Sequence, residues 1–425
     1  MEILNNPSRD TWDALTERNI PNDAAIEESV REIVATVKAQ GDEALRTYAR
    51  KFDGTEITEI EISEAERQAA TAKVAENVKR AIATAAKNIA AFHAAQRPVP
   101  VEVETAKGVC CYQQAVPIQR VGLYIPGGQA PLFSTVLMLG LPARIAGCKE
   151  VVLCTPQGHD GEVAPEIIYA ANVCGITHIY RVGGAQAIAA MAYGTESICR
   201  VDKIFGPGNR FVTKAKQIVS QTTAIDMPAG PSEVLVMADE SAVPAFVAAD
   251  MLSQAEHGRD SQAMLVCSSV EIAERVKTEI ARQMQLLHRP DALKHSLSHS
   301  RLLVFNDTQT MIDFANAYAA EHLIISMERP WEVAQKITAA GSVFIGNYSP
   351  ESAGDYASGT NHTLPTSGWA RSFSGVNLDS FQRKITYQEL TAEGLKGLSE
   401  TIISMADAEG LDAHAAAVKV RTGMI

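Results

Sequence analysis

The chain has 425 residues, of which 46% are apolar and 21% are charged. This length and composition are those of a globular protein with two or three domains, and they exclude a disordered or fibrous chain. The 38 basic and 50 acidic residues give a net charge of −12. Without a basic run, this charge argues against nucleic acid or an anionic membrane surface as a partner. No apolar stretch reaches the length of a membrane span.

The seven cysteines are scattered along the chain and form no C-x-x-C pair. This spacing predicts reduced thiols rather than a disulfide framework. The first residues also lack the basic region and apolar core of a secretion signal. We therefore expect a cytoplasmic protein.

Residues 1 to about 100 are polar and rich in alanine, glutamate and lysine at helical spacing. We expect two or three amphipathic helices within residues 24–51 and 63–96. Pro98 and Pro100 end this region, and a stretch with strand character follows over residues 108–117.

From about residue 118 the sequence alternates short apolar runs with helical segments such as 131–147 and 162–174. This alternation predicts parallel sheets with helices on their faces. The expected fold class is therefore α/β with two Rossmann-like units. A duplication is one explanation for two such units, although the repeat is too degenerate to demonstrate by inspection. The candidate strands are 120–123, 150–154, 178–182, 203–205, 233–237, 263–267, 302–305, 323–326 and 342–345.

A tail follows the second run of strands. Residues after Asp355 are rich in glycine, serine, threonine and asparagine up to about Gly375, and short helices are expected from Tyr387 to Met424. Because this tail is small for an independent domain, its apolar face must be buried on this subunit or on a partner. The expected boundaries are 1–22 for an N-terminal segment, 23–105 for the helical part of a first α/β domain, 106–230 for a second Rossmann-like domain, 231–370 for the remainder of the first, and 371–425 for the tail.

Three glycine turns follow predicted strands, at residues 124–128 (YIPGG), 183–186 (GGAQ) and 205–209 (FGPGN). Open α/β sheets bind ligands at the carboxyl ends of their strands, where the amides of the following helix can hold a pyrophosphate. None of the turns matches G-x-G-x-x-G, and glycine is also the usual residue of a plain turn. Three such turns in series favour a nucleotide or a similar anion.

Nitrogen and oxygen donors are collected in short segments of the second half of the chain. Gln254 and His257 lie three residues apart, so they share one face of the helix predicted here. Donors of this kind that converge from separate segments suit a borderline cation such as zinc. A solvated helix face is the alternative for His257. A zinc site would fit a hydrolase as well as a dehydrogenase.

Two further segments carry candidate ligands or catalytic groups. Glu321 and His322 precede an apolar strand, where catalytic acids and bases are often placed. A histidine at a helix C-terminus is an equal alternative. Residues 352–362 form a polar segment with two candidate ligands, Asp355 and His362, and a plain solvated loop is the alternative.

Three other residues become candidates only when the other motifs are considered with them. Ser232 lies in the turn 229–233, and in isolation turn chemistry explains it better than binding. Glu409 and His414 lie near the C-terminus, where a surface position is the ordinary expectation.

Together these segments resemble the histidinol dehydrogenase family, whose members are zinc- and NAD-dependent enzymes of the last steps of histidine biosynthesis. The similarity runs from about residue 20 to about residue 420, in order and with sensible spacing. The matching stretches are 121–128, 182–188, 204–209, 226–233, 252–258, 321–323, 349–365 and 409–414.

The resemblance implies a role for each candidate residue, carried over position by position. The implied catalytic pair is Glu321 and His322. The implied zinc ligands are Gln254, His257, Asp355 and His414. The implied NAD contacts are Tyr124, Gln186 and Asn209. The implied substrate contacts are Ser232, Gln254, His257, Glu321, His322, Asp355, Glu409 and His414.

The chemistry implied by the resemblance is two successive hydride transfers. L-Histidinol is oxidised to the aldehyde and the hydrated aldehyde to L-histidine, with two NAD and one zinc ion per subunit. His322 would take the hydroxyl proton, Glu321 would activate the water, and zinc would position the substrate. The resemblance also implies a homodimer in which Glu409 and His414 reach the partner's site, which would account for the tail.

Three alternatives compete with this interpretation. One is a family relative that oxidises another small amino or sulfonated alcohol. Another is a zinc hydrolase, against which stand the absence of an H-E-x-x-H helix and the three nucleotide-type turns. The third is a non-catalytic binding protein, which the intact base, ligands and turns disfavour.

Overall fold

The computed structural model of the protein describes residues 1–18, 24–127, 131–158, 160–228, 230–287 and 290–425. The strands within these ranges are β1 Glu2–Asn5, β2 Val101–Ala106, β3 Val109–Pro117, β4 Arg120–Tyr124, β5 Glu150–Cys154, β6 His178–Tyr180, β7 Lys203–Phe205, β8 Ala224–Ile225, β9 Glu233–Ala238, β10 Gln262–Cys267, β11 Arg301–Val304, β12 His322–Ser326, β13 Ser342–Ile345 and β14 Gln382–Leu390.

The α-helices of the described part alternate with these strands. They are α1 Trp12–Thr16, α2 Ala24–Gln40, α3 Asp42–Tyr48, α4 Glu64–Lys73, α5 Glu76–Ala94, α6 Phe133–Ala146, α7 Pro165–Cys174, α8 Gly184–Tyr193, α9 Arg210–Val219, α10 Pro244–Ala255, α11 Val270–Met284, α12 Pro290–Ser298, α13 Thr308–Tyr318, α14 Pro330–Ala334, α15 Glu351–Tyr356, α16 Ala392–Ala408 and α17 Asp412–Arg421. Among the residues described, each helix is too short or too polar to cross a bilayer.

Two parallel sheets form the framework, and they share one strand order. The five-stranded sheet runs β6-β5-β4-β7-β8, and the six-stranded sheet runs β1-β11-β10-β9-β12-β13. Counted from β4 and from β9, both follow the doubly wound order 3-2-1-4-5, with β1 added at one edge of the larger sheet. The predicted α/β class with parallel sheets is confirmed. A shared strand order is what a duplication would leave, and the duplication itself stays a prediction.

The central strands were predictable because both of their faces are covered. All six residues of β9 and all six of β10 are buried, and so are all five of β12. A strand of a parallel sheet with helices on both faces reads as a continuous apolar run. Such runs marked the predicted strands to within one or two residues at each end.

The helices of residues 24–94 pack against the five-stranded sheet, so the prediction that residues 23–105 belong to the same domain as 231–370 is wrong. Helix α2 covers α8 and α9, while α4 and α5 cover α7 and α6. The physical reason lies in the inner helices. In α8, every residue from 185 to 192 is buried, and a helix that is apolar all round needs a second layer outside it.

A small antiparallel sheet carries the C-terminal tail. Its order is β14-β3-β2, and β14 pairs along the whole of β3. The expectation of helices from Tyr387 is therefore wrong for residues 387–390, which are extended. The helices that follow are 17 and 10 residues long. The strand was missed because most of β14 is exposed, so no apolar run marks it.

The tail leaves the body at an anchor on the five-stranded sheet. Leu378 and Phe381 are fully buried, and the Phe381 ring stacks on Phe205 with 4.1 Å between centroids. Lys203 Nζ donates to the carbonyl of Ser380 at 2.9 Å. Beyond this anchor α16 and α17 pack on each other and α16 on β14. Several apolar side chains of the two helices and the C-terminus are more than half exposed: Met405, Val420, Met424 and Ile425.

Candidate active site

Side chains from two helices and one strand meet at the amino-terminal edge of the six-stranded sheet. Helix α10 follows β9 and runs back across the sheet, so its C-terminal end brings Gln254, and His257 just beyond it, to this edge. Strand β12 begins here with His322, directly after Glu321, and α15 brings Asp355. This is the edge opposite to the carboxyl-end crevice where open α/β sheets usually bind ligands.

A candidate cation site lies where these elements meet. One donor atom each from His257, Glu351 and Asp355 lies within 4.8 Å of the others. Glu351 is buried, with 1% of its side chain exposed, and its Oε1 lies 3.8 Å from His257 Nε2. Burial raises the pKa of Asp355 to about 7, and a cation at the site would reverse this shift by favouring the carboxylate.

Gln254 completes the cluster through its side-chain amide. It is fully buried. One end of the amide lies 2.9 Å from Glu351 Oε1, 3.2 Å from Glu351 Oε2 and 3.1 Å from His322 Nδ1. Of the four predicted zinc ligands, the fold of one chain thus brings together Gln254, His257 and Asp355.

His322 and Glu321 are both buried beside this cluster. His322 Nδ1 lies 3.7 Å from Glu321 Oε2 and 3.7 Å from Glu351 Oε1, and Nε2 lies 3.8 Å from Asp355 Oδ1. Within the described residues, His322 Nε2 has no hydrogen-bond partner. Burial lowers the pKa of His322 to about 3 and raises the pKa of Glu321 well above its usual range, because a dry site disfavours the charged form of each.

A buried ion pair involves Glu233, the first residue of β9, which is the strand that pairs with β12 next to Glu321. The backbone N–H of Glu233 donates to Glu321 Oε2 at 2.9 Å. The Glu233 carboxylate accepts two hydrogen bonds from the guanidinium of Arg18, at 2.7 and 2.8 Å, and Arg18 also donates to the carbonyl of Tyr318 at 2.7 Å. Ser232 lies next to this pair in sequence and is half-buried.

His362 supports a ligand rather than adding one. Its Nδ1 is 2.9 Å from the backbone carbonyl of Asp355, and its Nε2 is 3.1 Å from Thr135 Oγ1. With both ring nitrogens engaged, His362 links the cation cluster to α6 of the five-stranded unit. Burial lowers its pKa to about 4, so the neutral ring makes these contacts.

The three predicted glycine turns meet at the carboxyl edge of the five-stranded sheet. Tyr124 ends β4, and its Oη accepts from the backbone N–H of Gly184 at 3.2 Å. Gln186 follows in the first turn of α8. Asn209 precedes α9, and its Oδ1 accepts from the second and third N–H groups beyond it at 3.0 and 3.1 Å. Gly128 lies outside the described residues. The amino-terminal ends of α8 and α9 therefore lie at this edge, as an anion site needs.

The turn after β7 passes very close to β4. Gly206 has φ +125°, and a Cβ at this position would lie 2.1 Å from the carbonyl oxygen of Tyr124, so only glycine fits. Buried Lys216 forms an ion pair with Asp226, and its Nζ donates to the Gly206 carbonyl at 2.8 Å. Asp226 in turn accepts from the Gly206 N–H at 2.8 Å. The pair fixes the turn at the point where the strand order reverses.

Glu409 and His414 do not join the cluster of their own chain. Glu409 directly follows α16, His414 lies in the first turn of α17, and both residues are exposed. Neither is among the donors that approach one another at the cation site.

Comparison with known proteins assigns the chain to a family. A family model described as histidinol dehydrogenase matches residues 16–422. The chain belongs to the histidinol dehydrogenase family. The resemblance predicted from the sequence is thereby confirmed. As a histidinol dehydrogenase family member, the chain is an oxidoreductase that acts on CH–OH donors in histidine biosynthesis.

Similar proteins match over nearly the whole chain. Histidinol dehydrogenase of Bacteroides fragilis is 53% identical over 422 residues, which are 99% of each chain. The Escherichia coli K12 enzyme is 53% identical over 404 residues, which are 94% of this chain and 92% of that one. The crystal structure of histidinol dehydrogenase from Elizabethkingia anophelis is 49% identical, covers 100% of this chain and 98% of its own, and superposes with a TM-score of 0.97.

Sequence reasoning missed three residues of this site. Glu351 lies four residues before Asp355, so the two share a helical face, whereas the sequence analysis predicts a polar loop over residues 352–362. That i, i+4 spacing was the signal that could have found it. Arg18 and Glu233 are 215 residues apart in the chain, and no local pattern links them.

Proposed function

We propose that this protein oxidises L-histidinol to L-histidine through L-histidinaldehyde, with two NAD as oxidants and one zinc ion per subunit. The observation that carries the proposal is the convergence of Gln254, His257 and Asp355 with Glu321 and His322 in one cluster. The contact from His362 to Thr135 joins that cluster to the first turn of α6, directly after the glycine turn that follows β4. This contact supports a common cleft for the cation site and the nucleotide turns.

The donors present fit a zinc ion. Gln254 would offer an amide oxygen, His257 an imidazole nitrogen and Asp355 a carboxylate oxygen, which is a mixed N/O set of the kind zinc accepts. The fourth ligand would be His414 of a second subunit. When bound, zinc would supply positive charge that orients the imidazole and amine of the substrate, and this orientation lowers the entropic part of the barrier.

His322 would take the proton of the substrate hydroxyl at Nε2. Its lowered pKa keeps the ring neutral at physiological pH, which is the form a base needs. Abstraction at Nε2 requires the tautomer with the proton on Nδ1, and the amide oxygen of Gln254, if turned towards the ring at 3.1 Å, would accept that N–H.

Glu321 would accept a proton from the water that adds to the aldehyde. Its pKa is raised by burial, so its ionised form is a stronger base than a solvated glutamate. The hydrogen bond from the Glu233 N–H fixes Oε2 and leaves Oε1 for the water. Substrate contacts are assigned to Ser232 and, from the second subunit, to Glu409.

NAD would bind across the reversal of strand order in the five-stranded sheet. Tyr124, Gln186 and Asn209 lie on the three turns at this edge, and the helix ends there would hold the pyrophosphate. Burial raises the pKa of Tyr124 to about 12, so its hydroxyl stays protonated and is available as a donor.

The functional unit would be a homodimer with shared active sites. In one chain the tail packs on itself and on the antiparallel sheet, its apolar residues remain exposed, and Glu409 and His414 are not at the cluster. A two-fold dimer that exchanges tails would bury these surfaces and complete both sites.

The test is an assay of NADH formation with zinc-loaded protein and a panel of amino alcohols and sulfonated alcohols. We expect turnover with L-histidinol, two NADH per molecule oxidised, and L-histidine as the product. Turnover of another alcohol in preference to L-histidinol would favour the relative with a different substrate. One NADH per histidinol, with free aldehyde released, would contradict the two-step reaction.

A further inference from the structure

The turn between β7 and α9 begins with a buried glycine whose backbone groups bond to side chains. Gly206 directly follows the paired residues of β7, and its φ of +125° turns the chain away from the sheet. A buried N–H or C=O outside the strand pairing needs another partner, because leaving it without a hydrogen bond is costly. For Gly206, one buried ion pair supplies both partners.

The two members of this pair hold Gly206 from opposite sides. Asp226 Oδ2 accepts from the Gly206 N–H at 2.8 Å, and Lys216 Nζ donates to the Gly206 carbonyl at 2.8 Å. Asp226 and Lys216 also pair with each other, and only 1% and 5% of their side chains are exposed. Asp226 directly follows β8 and Lys216 lies in α9, so the pair ties the turn to both elements.

We propose that Lys216 and Asp226 are positioning residues for NAD, because they hold Gly206 and thereby fix the turn 206–209 against which the cofactor would bind. This inference rests on the NAD site of the proposed function. Neither residue is among the three NAD contacts that the family resemblance implies. Since both side chains are buried, we expect them to act through the backbone of the turn and not by touching the cofactor.

The turn lies where a cofactor would sense its position. Strands β4 and β7 are neighbours at the reversal of strand order, which is where doubly wound sheets bind nucleotides. Gly206 packs so closely on the carbonyl of Tyr124 that a side chain would not fit. Asn209 follows three residues later and caps α9 with its Oδ1. A shift of Gly206 would therefore move Asn209 and the amino-terminal end of α9 relative to Tyr124.

The consequence of losing the pair should appear in NAD binding. In wild type the turn is already fixed, so the cofactor does not have to order it. Without the two hydrogen bonds to Gly206, binding must order the turn, and this cost weakens affinity. Once NAD is bound the turn is ordered again, so turnover at saturating NAD should change much less than the Michaelis constant for NAD.

Three variants separate positioning from a merely structural role. Lys216→Met and Asp226→Ala each remove one hydrogen bond to Gly206 and leave a buried charge without its partner, which costs stability. The double variant Lys216→Met/Asp226→Ala leaves neither member of the pair as an uncompensated charge, yet restores neither hydrogen bond. The matched control is Lys214→Met, on the same helix, whose partly exposed pair with Glu27 of α2 has a 3.2 Å separation.

The measurements are the NAD dissociation constant of the zinc-loaded proteins by calorimetry, the KM for NAD and kcat with L-histidinol, and thermal unfolding. We expect all three variants to raise the dissociation constant and the KM for NAD about tenfold, with kcat within about threefold of wild type. Lys214→Met should stay within about twofold. The double variant should regain the melting temperature that the single variants lose, without regaining NAD affinity.

Three results would overturn the inference. If NAD affinity returned together with the melting temperature in the double variant, the pair would only stabilise the fold. If Asp226→Ala bound NAD as tightly as wild type or more tightly while Lys216→Met bound it weakly, Lys216 would contact the pyrophosphate directly. Wild-type affinity in all three variants would remove the positioning role alone, whereas zinc-loaded wild type that binds no NAD would remove the proposed NAD site as well.

Discussion

His322 and Glu321 are neighbours on one strand, and burial neutralises both. Burial lowers the pKa of the imidazole and raises that of the carboxyl group, so 3.7 Å between Nδ1 and Oε2 does not make an ion pair. Each group is therefore in its neutral form, which a site without water favours. Glu321 must therefore lose its proton before it can act as the base of the second step.

Substitution should separate the two oxidation steps. His322→Ala should slow oxidation of histidinol about 10²–10⁴-fold while affecting supplied aldehyde less, because the base of the alcohol step is removed. Glu321→Ala should do the reverse. Single-turnover NADH formation from each substrate measures both steps. Equal losses in both steps for both variants would mean that the roles are wrongly divided.

Asp355 should make the stability of zinc-free protein depend on pH in a predictable direction. Its pKa is about 7 in the folded protein and about 3.9 in an unfolded chain. Between these values the folded state holds a proton that the unfolded state has lost, so the stabilisation is full below about pH 4 and is lost as pH rises through 7.

The free energy of unfolding of wild type relative to Asp355→Asn should therefore fall by up to about 4 kcal/mol between pH 4 and 8. Urea unfolding of chelator-treated protein measures this difference. Burial also raises the pKa of Asp250 to about 7. Because Asp250 is present in both proteins, its contribution cancels in the difference between their free energies of unfolding. Zinc should remove the trend, because the ion binds the carboxylate form. If the free energies of unfolding of the two proteins changed with pH in the same way, the raised pKa of Asp355 would be contradicted.

Among the elements, the N-terminal segment is tied to the catalytic edge by one buried ion pair. Arg18 and Glu233 expose 9% and 1% of their side chains, and the guanidinium lies 3.6 Å from the centre of the Tyr318 ring. Arg18→Met should lower the free energy of unfolding by about 3–5 kcal/mol, since it leaves a buried carboxylate unpaired.

The double variant Arg18→Met/Glu233→Met should recover most of this loss, because no uncompensated charge remains. Arg282→Met is the control, since its exposed pair with Glu279 is screened by solvent and should contribute far less to stability. Urea unfolding measures all three. A loss at Arg18 no larger than the control would show that the buried pair does not stabilise β9, the strand next to Glu321.

Elements were predictable from sequence where burial imposed a pattern on them. Strands β9, β10 and β12 are covered on both faces and read as apolar runs, so they were found. Strands β2 and β14 lie in an exposed antiparallel sheet, where no such run forms. The partner of an amphipathic helix is not encoded locally, so α2 to α5 were assigned to the wrong sheet. The site residues were likewise predictable only where a local pattern marked them. The short motifs could be recognised in the sequence, whereas the long-range pair Arg18–Glu233 could not.

At the scale of the whole molecule, two α/β units with one strand order would carry different parts of the proposed chemistry. The five-stranded unit presents its glycine turns at the carboxyl edge, and the six-stranded unit presents its donors at the amino-terminal edge. His362 connects the two through Thr135. In its own chain the tail does not bring Glu409 or His414 to the cation cluster. The proposed active site therefore needs a second subunit to supply them.

The most direct test of this shared site uses two inactive variants, His257→Ala and His414→Ala. In a mixed dimer one site would carry both lesions and the other would carry neither. Random pairing of equal amounts makes about half of the dimers mixed, each with one intact site of two. Unfolding and remixing the two proteins with zinc should therefore restore about a quarter of wild-type activity. Remixed dimers that regain no activity would place His414 in the site of its own chain and contradict the shared active site.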